Sequence, residues 1–214
     1  MEKWFSSARM RRYQSSKDPE GLYLWDVRLA KAYLEDIEHT EILLRNFIAE
    51  RLAADCERRI GDEAWFDHPE LYNLNDKFDG AVDQAKRRIS HSRKPIGYDA
   101  VIAALSFDTW RYLLVKRLEP TVWRALRDKR NGGMPAFPER NRAAFEEQVV
   151  IVYSLRNRCS HQEHLVLEDY AAESVMLDRY SKAIALVAAR IDPGAAEWIT
   201  RVSRVDGLRE RRPL

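Results

Sequence analysis

Residues 22–60, LYLWDVRLAKAYLEDIEHTEILLRNFIAERLAADCERRI, carry an unbroken helical period. Leu29, Ala32, Tyr33, Asp36, Ile37, Thr40, Leu43, Leu44, Phe47, Ile48, Arg51 and Leu52 recur at steps of three and four, and most are apolar. Such steps bring side chains together along one side of a helix. Gly61 follows as a stop, because glycine enters the left-handed conformation that ends a helix at little cost. Upstream, the turn SSKDPEG (15–21) separates this run from a short helix over about 2–13. Downstream, the same period predicts helices over 75–89, 98–118, 121–130, 139–158, 169–191 and 195–205. NGGMPAFPE (131–139) reads as the most evident loop. Val149 to Tyr153 is rich in β-branched residues, but it lies inside a helical period that includes Phe145 and Leu155. The expectation is an all-α fold with helices packed antiparallel through short connections. The length suits one domain over 1–214, with a helical extension over about 1–20 and a C-terminal helix over about 194–206.

Composition sets limits on function. Hydrophobic residues make up 45% and charged residues 33%, a globular balance with a heavily charged surface. The longest uncharged apolar stretches, such as 183–189, are too short to span a bilayer. The opening segment MEKWFSSARMRRY has no apolar core of signal-peptide type, so the expected compartment is the cytoplasm and no membrane partner is expected. Cys56 and Cys159 make no disulfide framework. Five histidines without HExxH or any paired ligand spacing argue against a metal site, and no cofactor-binding motif is present. The formal net charge is only +2, yet the charge is uneven. Lys86, Arg87, Arg88, Arg93 and Lys94 form one basic run. Arg111, Lys116, Arg117, Arg124, Arg127, Lys129 and Arg130 form a second, broken by Glu119 and Asp128, and Arg201, Arg204, Arg209, Arg211 and Arg212 a third. Basic clusters attract phosphate backbones, and equally serve as solvated helix faces.

The chemistry concentrates at Leu155-Arg156-Asn157-Arg158-Cys159-Ser160-His161. Histidine both takes and gives a proton near neutral pH. Arginine stays charged and holds two phosphate oxygens while negative charge builds on them. The Asn157 amide can hold the imidazole or a phosphate oxygen. RNA supplies its own nucleophile, the 2′-hydroxyl beside the scissile phosphate, so such a site needs no metal and spares DNA. With 27 arginines and 5 histidines, however, an Arg-x4-His spacing is expected about 0.6 times by composition alone. The alternative is a histidine that ends a helix while two arginines pair with nearby acids. On a regular helix Asn157 and His161 share a face, whereas Arg156 lies roughly 140° around from His161. Convergence therefore needs a distorted helix, a wrapping arginine or a second chain. Arg158 and His164 form a looser rival pair.

SLRNRCSHQEHL (154–165) resembles the signature of Abi-like (abortive-infection) proteins, which reads along the lines of LRNRxxHHEP, a version of the Arg-x4–6-His motif of HEPN ribonucleases. The resemblance extends to MEKWFSSARMRRY (1–13), to GLYLWDVRLAKAYLEDIEHTEILLRNFIAERL (21–52), to LSFDTWRYLL (105–114) and to WITRVSRVDGLRERRP (198–213), in order along nearly the whole chain. It implies a HEPN-like helical bundle that dimerises, with the motifs of two protomers facing a shared groove. It also implies phage defence or toxin–antitoxin biology through metal-independent RNA cleavage, with an antitoxin protein or non-coding RNA as a further partner. By position, Arg156 would bind phosphate, Asn157 would be its polar neighbour and His161 the acid–base residue. Glu41 and Arg45, at i and i+4, match the family's other polar pair, with a plain intrahelical ion pair as the alternative. Arg158, Arg87 and Arg88 are supporting RNA-binding candidates. Gln162 stands where many members carry a second histidine, His164 at the usual proline position, and Asp108 at a usual glycine. A non-catalytic HEPN-type module that binds RNA or protein is the competing function.

The remaining aromatic and nucleophilic residues call for ordinary roles. Trp25, Trp65, Trp110, Trp123 and Trp198 fall on apolar faces and are expected in the core. Cys159 is expected as a small buried thiol, and Ser160 lacks the glycine elbow of a serine nucleophile.

Overall fold

A computed structural model describes residues 2–137 and 141–213 of the chain, and every regular element among them is helical. The α-helices in chain order are α1 Glu2–Phe5, α2 Ser7–Met10, α3 Pro19–Ile60, α4 Pro69–Tyr72, α5 Asp76–His91, α6 Tyr98–Ala104, α7 Phe107–Tyr112, α8 Arg124–Arg127, α9 Arg142–Ser160, α10 Tyr170–Ile191, α11 Pro193–Val202 and α12 Val205–Arg209.

The 42-residue α3 is the axis of the molecule. At 1.5 Å per residue it is about 63 Å long. Its start is set by Asp18, whose carboxylate accepts the Gly21 N–H at 2.9 Å, with Pro19 preset for the first turn. Its end is set by Gly61, at φ +75°. α7, α8, α9, α10 and α12 all pack on it. Surrounded in this way, α3 buries polar as well as apolar groups, and each is bonded. The Asp36 carboxylate accepts the Ser203 hydroxyl at 2.6 Å, and the Thr40 hydroxyl donates to the Asp36 carbonyl at 2.8 Å. α10 packs against both α9 and α11, and α5 against α6. The buried residues form one contiguous cluster from Met10 to Val205.

Several expected helices are shorter than the sequence period suggests. The segment 98–118 splits into α6, α7 and a 3-10 turn at Lys116–Leu118, because Leu105 and Ser106 are extended. The segment 121–130 becomes a π turn at Glu119–Trp123, then α8, then a 3-10 turn at Lys129–Asn131. Pro120 carries no N–H to continue a helical ladder, and Asp128 is extended, accepting the Arg130 N–H instead. The C-terminal helix expected over about 194–206 ends at Val202. There Ser203 leaves the helix and bonds Asp36, and α12 follows. The helix expected over 2–13 is broken at Ser6, φ +65°, and its Met10 and Tyr13 are core residues rather than parts of an appendage. The expected helix start at Glu139, and the end of the loop over 131–139, lie outside the described residues. Trp198 is 44% exposed, stacked edge-on against His39, and is not in the core where the apolar pattern places it.

Candidate functional site

α9 positions the Arg156–His161 segment. Asn141 caps its start by accepting the Ala144 N–H at 3.2 Å. Arg142 anchors that end, donating to the Leu114 carbonyl at 2.7 Å and pairing with Glu119 and Glu146. Val149, Val152, Leu155 and Cys159 step by three and four into the core. Arg156 and Ser160, at i and i+4, then share the flank facing α3.

The helix is regular to Ser160 and ends in a Schellman turn. The Gln162 N–H donates to the Cys159 carbonyl at 3.2 Å, and the Glu163 N–H to the Arg158 carbonyl at 2.9 Å. Gln162 occupies the left-handed position at φ +58°, which glycine adopts without strain. Gln162→Gly is therefore expected to stabilise the fold by about 0.5–1 kcal/mol, read as a higher urea midpoint at constant slope. A lower midpoint would show that the glutamine side chain makes a stabilising contact.

Arg156, Glu41 and Arg45 meet at one groove of about 450 Å³, with Glu38 and Ser160 also on its walls. Burial pushes the Glu41 carboxyl above its ordinary range, and the nearby Arg156 and Arg45 guanidinium groups oppose that rise. Arg156 also donates to the Asn157 side-chain oxygen at 3.4 Å. The groove thus balances two arginines against two glutamates. His161 is the residue that ends the helix, as the alternative reading had it, but only its backbone is used: its N–H donates to the Asn157 carbonyl at 2.8 Å. Its ring is exposed and has no hydrogen-bond partner among the described residues. It stands one residue beyond Ser160 and does not line the groove.

The turn that carries His161 is tied to the N-terminal segment. Arg9 donates to the Gln162 carbonyl at 3.0 Å. The Tyr13 hydroxyl donates to Asp26 at 2.6 Å and lies 2.7 Å from His164 Nδ1. With its one proton committed to Asp26, the hydroxyl must accept from Nδ1–H. Asp26 also accepts the Leu165 N–H at 2.9 Å. Arg158 turns away from the groove, donating to the His164 carbonyl at 2.9 Å, so it and His164 serve the turn as braces. Sequence reasoning missed Tyr13 and Asp26 as determinants of the site. The available signal was an aspartate set between Trp25 and Leu29 in an apolar run.

Burial holds the His164 imidazole below its ordinary range, partly offset by Asp26. Protonation therefore favours the unfolded chain. This contribution to stability is intact above about pH 6.5, the unfolded value, and is lost as pH falls through the depressed folded value. Thermal unfolding from pH 8 to 5 is expected to show a steeper acid-side loss for the wild type than for His164→Gln. Parallel curves would sever the link to this ring.

Other candidates lie apart. Arg87 and Arg88 are exposed near the end of α5 and do not line the groove. Cys159 is buried, which pushes its thiol up to about 12 and rules it out as a nucleophile near neutral pH. Cys56 is buried too. Among the described residues no cluster of three or more His, Cys, Asp or Glu side chains could hold a metal ion, and no helix is long and apolar enough to cross a membrane.

The sequence model of one protein family, described as Abi-like protein, matches residues 3–166. That span includes the N-terminal tie, α3, the groove and the whole Arg156–His161 turn. No curated protein and no solved structure matches the chain.

Proposed function

Because this chain belongs to the Abi-like protein family, we propose that it is an RNA-cleaving effector of abortive-infection phage defence, a metal-independent endoribonuclease on a HEPN-type bundle. The observation that carries the reading is that the two residues given the chemistry can be reached from solvent. Arg156 lines an open groove, and the His161 ring is exposed and unpartnered among the described residues. In the proposed reaction the RNA 2′-hydroxyl attacks the adjacent phosphorus, and His161 takes its proton. Arg156 holds the non-bridging oxygens as charge accumulates on them. The bond from phosphorus to the 5′-oxygen breaks, the leaving oxygen takes a proton from water, and a 2′,3′-cyclic phosphate remains. Glu41 and Arg45 orient Arg156.

Arg156 and His161 point to different sides of a regular helix end, so the site is proposed to be completed by a second copy. Two protomers meeting at the groove's end would bring the His161 of one toward the Arg156 of the other. A cytoplasmic homodimer, held in check by an antitoxin protein or a non-coding RNA, is the corresponding assembly. One observation favours a second reading, a non-catalytic interaction module: the two glutamates in the groove oppose phosphate as much as its two arginines attract it.

The test is a mixed RNA panel incubated with excess chelator and wild type, Arg156→Ala or His161→Ala. Cutting that survives chelation, leaves cyclic phosphate ends and vanishes in both variants is expected. Equal cutting by all three proteins would reject the assignment.

A further inference from the structure

A local excess of positive charge lies away from the motif. A cleft of about 500 Å³ opens between the C-terminal end of α3 and α8, with five arginines against three acids on its walls. Its surplus of two charges equals the formal net charge of the whole chain.

All three acids are already engaged. Asp55, 6% exposed, pairs with Arg58 at 2.5 Å and Arg59 at 3.4 Å, and also accepts the Asn131 amide at 3.2 Å. Asp128 takes Arg130 at 2.7 Å and lies 3.6 Å from Arg58. Glu119 is turned to Arg142 at 3.2 Å. The two remaining cations, Arg124 and Arg127, are exposed and have no acidic partner among the described residues. They stand three apart on one helical turn, so they share a face. The floor beneath them is rigid, because buried Asn131 bonds both Asp55 and the Ala125 carbonyl, at 3.2 and 3.0 Å. Two free guanidinium groups over a braced, neutralised floor form a grip for phosphate oxygens.

We propose that Arg124 and Arg127 form an anchor for the phosphodiester backbone of RNA, separate from the cleaving groove. This rests on the ribonuclease reading, and it supplies the net positive surface that the charge-balanced groove lacks. Arg45 and Arg58 are thirteen residues apart on α3, about 20 Å along the axis and on different faces, so the two clefts do not merge. RNA held at both sites would cross the surface of α3 over several nucleotides.

The test measures binding of a fluorescein-labelled single-stranded RNA of mixed sequence to the full chain carrying His161→Ala, which prevents turnover. Adding Arg124→Ala and Arg127→Ala is expected to weaken binding about tenfold at moderate salt. The slope of log affinity against log salt should fall by about 1.4, two phosphate contacts at roughly 0.7 each. A charge-matched control, Lys182→Ala with Arg201→Ala, should leave the slope in place. An unchanged slope in the Arg124/Arg127 variant would overturn the anchor while leaving the ribonuclease reading intact. Equal loss in the control would also overturn it, by reducing the effect to bulk charge. Absence of RNA binding at low salt by every protein would overturn the anchor and the RNA reading together.

Discussion

On the proposed ribonuclease reading, His161→Ala should abolish most RNA cleavage while leaving thermal stability where it is. Loss of a general acid–base group lowers rates by about 10²–10⁴-fold. The ring is exposed and makes no hydrogen bond to any described residue, so its removal takes little from the fold. Arg156→Ala should cost about 10²–10³-fold through lost stabilisation of the developing phosphate charge. Arg156→Lys should fall in between, since lysine keeps the charge but not the planar two-pronged geometry. Rates and melting temperatures measured on the same preparations decide the matter. A parallel fall in both would mean that these residues hold the structure and do not act on RNA.

Asp26→Ala should produce the largest loss of stability among substitutions near the site. The carboxylate is 4% exposed, accepts the Tyr13 hydroxyl and the Leu165 N–H, and lies 3.5 Å from His164 Nδ1. Removing it orphans a buried backbone donor and strands two polar side chains, at a cost of about 3 kcal/mol. For a chain of this size that is a fall of roughly 6–12 °C in Tm. Because Tyr13 and His164 belong to the same network, Asp26→Ala and Tyr13→Phe should combine to less than their sum. Strict additivity in a double-mutant cycle would show that Asp26 and Tyr13 act independently.

Much of the architecture can be read from residues alone, and the exceptions have causes. The long period ending at Gly61 defines α3, and Asn75 and Asp169 sit as caps where the expected helices begin. The helical period does not disclose the breaks at Leu105, Asp128 and Ser203. Each is a backbone departure by one or two residues, and at Ser203 the reason is a hydroxyl bond to Asp36, 167 residues earlier in the chain. The proximity of Arg156 to Glu41 and Arg45 was not legible, because periodicity within one helix says nothing about its neighbour. The acidic content of the groove was illegible for the same reason: Glu38 is exposed, and only laying α9 beside α3 puts it on one groove with Arg156. Trp198 shows the converse, an apolar stripe on α11 left partly uncovered.

The burial of both native thiols makes the chain an amenable host for site-directed chemistry. With Cys56 and Cys159 shielded and the latter held as the neutral thiol, a sulfhydryl introduced at exposed Ser160 would be the preferred target of a maleimide or a spin label. A nitroxide there would sit on the groove wall, one residue from His161, at one label per protomer. In the proposed dimer, dipolar coupling between labels would give the spacing between the two motifs directly, and its collapse or growth on adding RNA would test the proposed approach of substrate in real distances.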